Sequence, residues 1–115
     1  MELCNMPLRK YANRWRLNNN TPLPEDDVKR IMRDVCLGLD ELHSRGIVHL
    51  DIKPENILES FHGKFKIADL GMARLQTKIM EDKSFPDGDC RYQAKETLND
   101  DPACPIPDLT KADIY

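Results

Sequence analysis

An α+β fold, mainly helical and carrying one small β-hairpin, is what the sequence predicts. Between positions 24 and 45 apolar residues recur at three- and four-residue steps, the period of one helix face. After Gly46 the pattern changes to short apolar runs punctuated by glycine, the mark of strands and turns. The third observation is size and composition: 115 residues, 40% apolar and 32% charged, are ordinary for globular protein and too balanced for a disordered tail, and this length allows a single compact domain without assuring one.

The spacing predicts a first helix over Pro7 to Leu17, opening on a proline whose missing N–H has no partner in a first turn. Asn18, Asn19 and Asn20, with Thr21, Pro22 and Pro24, then read as a loop. The strongest helix runs from Pro24 to Arg45, with Val28, Ile31, Met32, Val35, Leu39 and Leu42 on its apolar face. Glu25, Asp26 and Asp27 suit the positive end of its dipole, and Gly46 can take the left-handed conformation that ends it. Ile47-Val48, Ile57-Leu58 and Phe65-Lys66-Ile67-Ala68 follow, and Gly63 between the last two predicts a hairpin over Asn56 to Ala68. From Leu70 to Ala112 the chain is rich in Pro, Asp and Gly and is expected to be mostly loop with short helical turns.

A net charge of −3 gives no general attraction to nucleic acid or to an anionic membrane. The local basic cluster Arg9, Lys10, Arg14 and Arg16 reads as a solvated helix face. Cys4, Cys36, Cys90 and Cys104 lack the paired spacing of a zinc site and are expected to be free thiols of an intracellular protein. No apolar run approaches the ~20 residues needed to cross a bilayer.

Between the long helix and the hairpin lies His49-Leu50-Asp51-Ile52-Lys53-Pro54-Glu55-Asn56, and beyond the hairpin Asp69-Leu70-Gly71. Taken singly, each residue reads as a surface charge or a turn-forming asparagine. In this order and spacing they resemble the catalytic loop and metal-binding triplet of protein kinases, whose general patterns are H-R-D-x-x-x-x-N and D-F-G. The resemblance implies that Asp51 is the general base toward a protein hydroxyl, and that Asn56 and Asp69 hold Mg²⁺ on bound ATP. It implies that Lys53 contacts the nucleotide and places positive charge beside the transferred phosphoryl group. His49, between Val48 and Leu50, is expected to be a packed core histidine with no proton to carry.

By the same resemblance, residues 1–5 correspond to the hinge between kinase lobes and 6–45 to the start of the helical C-lobe. Residues 46–68 hold the catalytic loop and hairpin, 69–96 the activation segment, and 97–115 the start of the next core helix. The chain thus looks like a partial kinase fold, without N-lobe or late C-lobe helices and without a glycine-rich phosphate loop, so that alone it is expected to be inactive.

His49-Leu50-Asp51, Asp69-Leu70-Gly71 and Gly88-Asp89-Cys90-Arg91-Tyr92 together resemble the Wee-type kinases. Glu2-Leu3-Cys4 and Leu8-Arg9-Lys10-Tyr11 lean toward the membrane-associated, tyrosine/threonine-specific branch. This implies a cyclin-dependent kinase as protein substrate, a role in cell-cycle (G2/M) control, and a place in the nucleus or cytoplasm. Leu50 stands where phosphorylation-switched kinases carry arginine, and Lys95 where the usual A-P-E has its proline. The alternative expectation is a catalytically dead, kinase-derived binding module.

Overall fold

The computed structural model describes residues 3–82, 89, 91–97 and 108–114. Their elements run β1 (Cys4–Pro7), α1 (Leu8–Asn19), α2 (Glu25–Ser44), β2 (Ile47–Val48), β3 (Ile57–Ser60), β4 (Phe65–Ile67), β5 (Arg74–Leu75), α3 (Gln76–Asp82), a 3₁₀ turn (Lys95–Thr97) and α4 (Leu109–Ala112). They form two compact units, one of residues 1–38 with 53–68, the other of 39–52 with 69–115. Helix α2 contributes its N-terminal part to the first and its last turns to the second. Met1, Glu2, Gly88, Cys90, Cys104 and Tyr115, which entered the expectations above, lie outside the described residues.

The first unit is built on an antiparallel sheet of order β1-β3-β4. The predicted hairpin is its β3–β4 part, with Ile57 opposite Ile67 and Glu59 opposite Phe65. Its turn is closed by Ser60, whose N–H donates to Lys64 O at 2.7 Å and whose hydroxyl accepts the Lys64 N–H at 3.2 Å. Gly63 turns there at φ +69°, where a side chain would be strained. Strand β1 was not expected; its four residues are too few to show a period of two, and it pairs with β3 through an irregular register between Cys4 and Met6.

Phe65 anchors the packing of this unit at 3% exposure. The Tyr11 ring meets it edge-on at 5.5 Å between centroids, and the Arg30 guanidinium lies 5.6 Å from its ring centre. Gly38, unfavourable inside a helix, is explained by Ile67: a Cβ there would come within 3.1 Å of Ile67 Cδ1.

Asp34 is buried on α2 and accepts the Phe65 N–H at 3.1 Å and the Arg33 guanidinium at 3.3 Å. Burial pushes its pKa up, but the Phe65 N–H, Arg33 and Lys64 outweigh that and hold it below the usual carboxylate value. A depressed folded-state pKa gives stability that is fully present above the unfolded value, about 3.9, and is lost as pH falls through the folded value. Asp34→Asn is therefore expected to flatten the loss of stability below about pH 4. At neutral pH it should cost about 1–3 kcal/mol through the poorer acceptor left under Phe65. Denaturant melts at several pH values check both; parallel acid profiles for the two proteins would contradict the assignment.

Helix α1 begins at Leu8, not Pro7, because Pro7 takes the extended N-cap conformation and ends β1. It also runs on through Asn18 and Asn19, which were expected in the loop: the Asn19 side chain donates to Trp15 O, and Asn20 caps the end at φ 50°. Lys10, Arg14 and Arg16 are solvated as expected, whereas Arg9 is ion-paired to Glu55. On α2, Ile31, Val35 and Leu39 are buried as the period required, but Val28 and Met32 are 43% and 56% exposed. They face an open groove beside α1, which the apolar pattern alone cannot distinguish from a filled core.

In the second unit α2 ends at the predicted place, Gly46 taking φ +69° and donating its N–H to His43 O at 2.9 Å. Strands β2 and β5 pair antiparallel, Ile47 with Leu75 and Val48 with Arg74. Val48, Ile79 and Leu109 form the buried core, with Leu50 and Ala112 packed against it. Strand β5 and helix α3 replace part of the loop expected after Leu70, since two and seven residues are too short for periodicity to reveal. Asp108 caps α4 by accepting the Thr110 hydroxyl and N–H, which lower its pKa.

Candidate active site

The loop after β2 is fixed from beneath by one buried carboxylate. Asp113 accepts the His49 N–H at 2.8 Å and the His43 Nε2 at 2.8 Å on Oδ2, and the Leu50 N–H at 2.7 Å on Oδ1. Its side chain is wholly shielded from solvent, so these donors replace the water a carboxylate otherwise requires. The clamp holds Leu50 at φ +63°, a conformation that costs an ordinary residue roughly 1–2 kcal/mol. Charge-assisted hydrogen bonds offset that cost.

His49 is fully buried, as expected, but it is more than filler. Its Nδ1 accepts the Asp51 N–H at 3.2 Å, so the ring orients the backbone of the residue expected to be the base. Asp69, in the same unit, turns the chain at φ +63°, which aspartate tolerates, and its Oδ1 accepts the Gly71 N–H at 3.1 Å. A Cβ on Gly71 would stand 3.0 Å from that oxygen, so a side chain there would press on the Asp69 carboxylate.

The second unit thus carries Asp51 and Asp69, and the first carries Lys53 and Asn56. There Lys53 O accepts the Asn56 N–H at 2.9 Å, and Asn56 O accepts the Ala68 N–H at 2.8 Å, which ties a tight turn to the end of the hairpin. Asn56 is buried at 7% exposure. Pro54 O accepts the Arg9 N–H at 3.2 Å and Glu55 pairs with the Arg9 side chain, so α1 braces the turn.

Among the described residues there is no cluster of three or more His, Cys, Asp or Glu able to hold a metal by themselves. A magnesium ion that keeps water and phosphate in its shell needs only one or two protein oxygens, and Asp69 in the second unit and Asn56 in the first each carry an oxygen of that hard type. The sequence reading missed Asp113, His43 and Arg9. His43 reads as an ordinary residue of a last helical turn, and Asp113 lies 64 residues from the backbone it holds.

Across its whole length, residues 1–115, the chain matches the Protein kinase domain family. It belongs to the protein kinase family. Among curated relatives, this kinase chain is similar to a Wee1-like protein kinase of Oryza sativa subsp. japonica, 37% identical over 100% of the chain and 19% of that protein. It is also similar to the serine/threonine-protein kinase GIN4 of Saccharomyces cerevisiae, 38% identical over 78% of the chain and 8% of the relative. CBL-interacting serine/threonine-protein kinase 3 of Arabidopsis thaliana is 34% identical over 74% of the chain and 20% of the relative. The kinase chain spans about a fifth or less of the length of these relatives. Among the described residues, no helix is long and apolar enough to cross a membrane.

Proposed function

We propose that this chain is the catalytic-loop and activation-segment part of a Wee-type protein kinase, which transfers the γ-phosphate of ATP to a hydroxyl of a cyclin-dependent kinase in G2/M control. The supporting observation is the catalytic loop itself: Asp51 follows a residue clamped by Asp113 and is oriented through His49. Such fixed placement is what a general base needs. Asp51 accepts the proton of the attacking hydroxyl, and Lys53 sets positive charge beside the phosphoryl group in transfer. Asn56 and Asp69 would hold Mg²⁺, which would supply neutralising charge at the nucleotide phosphates.

Residues 1–5, 6–45, 46–68, 69–96 and 97–115 are read as hinge, C-lobe start, catalytic loop with hairpin, activation segment and next core helix. The match to a Wee1-like kinase over all 115 residues and the His49-Leu50-Asp51 and Asp69-Leu70-Gly71 motifs support the Wee-type reading, and Glu2-Leu3-Cys4 with Leu8-Arg9-Lys10-Tyr11 leans it toward a tyrosine/threonine acceptor. The acceptor is tested by incubating the natural polypeptide and MgATP with a cyclin-dependent kinase, then mapping phosphate by mass spectrometry. Phosphate on glycine-rich-loop tyrosine or threonine, absent when both are replaced by phenylalanine and alanine, is the expected result; phosphate only on other residues would reject the substrate.

Leu50 bears on regulation. An aliphatic side chain cannot pair with a phosphate, so activity is expected to survive phosphatase treatment of the activation segment. Loss of most activity on dephosphorylation would contradict this. The 115 residues contain no glycine-rich phosphate loop, and by themselves they are expected to transfer no phosphate.

A further inference from the structure

Of all the serines and threonines in the chain, only Thr21 is followed by proline. It lies in the first unit between α1 and α2, where Pro22 and Pro24 help to keep positions 20–24 out of helix and strand. Thr21, Pro22 and Pro24 are exposed, and among the described residues the Thr21 hydroxyl has no partner. The phosphoryl-transfer chemistry above makes no use of this loop.

The other described hydroxyls are placed differently. Those of Ser44, Thr97 and Thr110 donate to Glu41 O at 2.9 Å, Ala94 O at 2.6 Å and Asp108 Oδ1 at 2.7 Å. Ser60 is buried, its hydroxyl accepting the Lys64 N–H. Thr77 is exposed, but it lies inside α3 and precedes Lys78. Tyr11 packs edge-on against Phe65, and the Arg91 guanidinium lies over the Tyr92 ring. A modifying enzyme must draw its acceptor into a groove, which an exposed segment without regular structure allows at least cost.

This loop is also tied to α1 on either side of Thr21. The Asn20 N–H donates to Arg16 O at 2.8 Å, and the Trp15 indole N–H donates to Pro22 O at 3.1 Å.

We propose that Thr21 is a phosphorylation site for a proline-directed serine/threonine kinase, and that its phosphate loosens the last turn of α1. In the transfer, Thr21 Oγ1 forms a bond to the γ-phosphorus of ATP while the bond from that phosphorus to the β,γ-bridging oxygen breaks. ADP leaves, and the hydroxyl proton passes to the modifying kinase. The product carries about −1.5 to −2 charge at neutral pH. It stands one residue past the cap of α1, at the negative end of that helix dipole, and ahead of Glu25, Asp26 and Asp27 in the first turn of α2. Arg16 is the one cation in the last turn of α1 to oppose this repulsion. The contacts it strains are the two that tie the loop to α1. The site is independent of the reading of Asp51 and Asp69 and would survive that reading's failure.

For the test, the natural polypeptide carrying Asp51→Asn, which removes its own assigned base, is incubated with MgATP and a purified mitogen-activated protein kinase, whose acceptors precede proline. Phosphate is then mapped by mass spectrometry. Phosphate on Thr21 is expected, absent from the Thr21→Val variant and reduced at least about tenfold by Pro22→Ala. Hydrogen exchange over positions 16–19 should run about two- to fivefold faster in the phosphorylated protein. No phosphate on Thr21, equal phosphate after Pro22→Ala, or unchanged exchange over that turn would overturn the proposal. So would phosphate on Thr21 without the added kinase, because the chain would then modify itself.

Discussion

Replacing Asp51 by asparagine in the natural polypeptide is expected to lower kcat for phosphoryl transfer by about 10²–10⁴, the usual contribution of a positioned general base. The Michaelis constant for ATP should hardly move, since Asp51 is assigned to the hydroxyl and not to the nucleotide. Asparagine has nearly the same shape and keeps the backbone N–H that donates to His49 Nδ1, so the loop should retain its course. An unchanged melting temperature would show that the loss is chemical. A variant with kcat within a few-fold of the parent would remove Asp51 from the role of base.

Replacing Asp113 by alanine is expected to act on stability instead. The side chain accepts two backbone N–H groups and the His43 ring from a site closed to water. Each buried donor left without an acceptor costs about 1–3 kcal/mol, so the second unit should lose on the order of 3–5 kcal/mol. Against the ~5–15 kcal/mol that holds a typical domain together, that is a large share. Leu50 would also be released from its left-handed conformation, and the Asp51 loop with it. Asp113→Asn, which keeps one acceptor oxygen, should cost less. Denaturant titration measures the loss, and hydrogen exchange at the His49 and Leu50 amides locates it; a change below about 1 kcal/mol with both amides still protected would mean that the clamp is dispensable.

Much of the fold could be read from short-range pattern. Helix α2 shows its period, its acidic first turn and its terminal glycine, and each is a local requirement met by adjacent residues. The β3–β4 hairpin is equally local, set by Gly63 and the apolar runs beside it. The motif residues Asp51, Lys53, Asn56 and Asp69 stand out because their order and spacing match the general kinase patterns H-R-D-x-x-x-x-N and D-F-G.

What stayed hidden depends on partners distant in the chain. Nothing near Asp113 announces that its carboxylate meets His49 and Leu50, and nothing near Arg9 announces Glu55. Val28 and Met32 fit a buried stripe by spacing, yet the structure leaves them at the groove. Periodicity reports which side of a helix is apolar, but not whether a neighbour covers it.

The most direct test is γ-phosphate transfer from MgATP to protein by the natural polypeptide, measured beside its Asp69→Ala variant. Transfer by the parent and none above background by the variant is the predicted result, because the metal would lose its carboxylate ligand while the fold keeps every contact of the Asp113 clamp. Equal transfer by both proteins, or none by the natural polypeptide, would contradict the assignment of this loop and triplet to phosphoryl transfer.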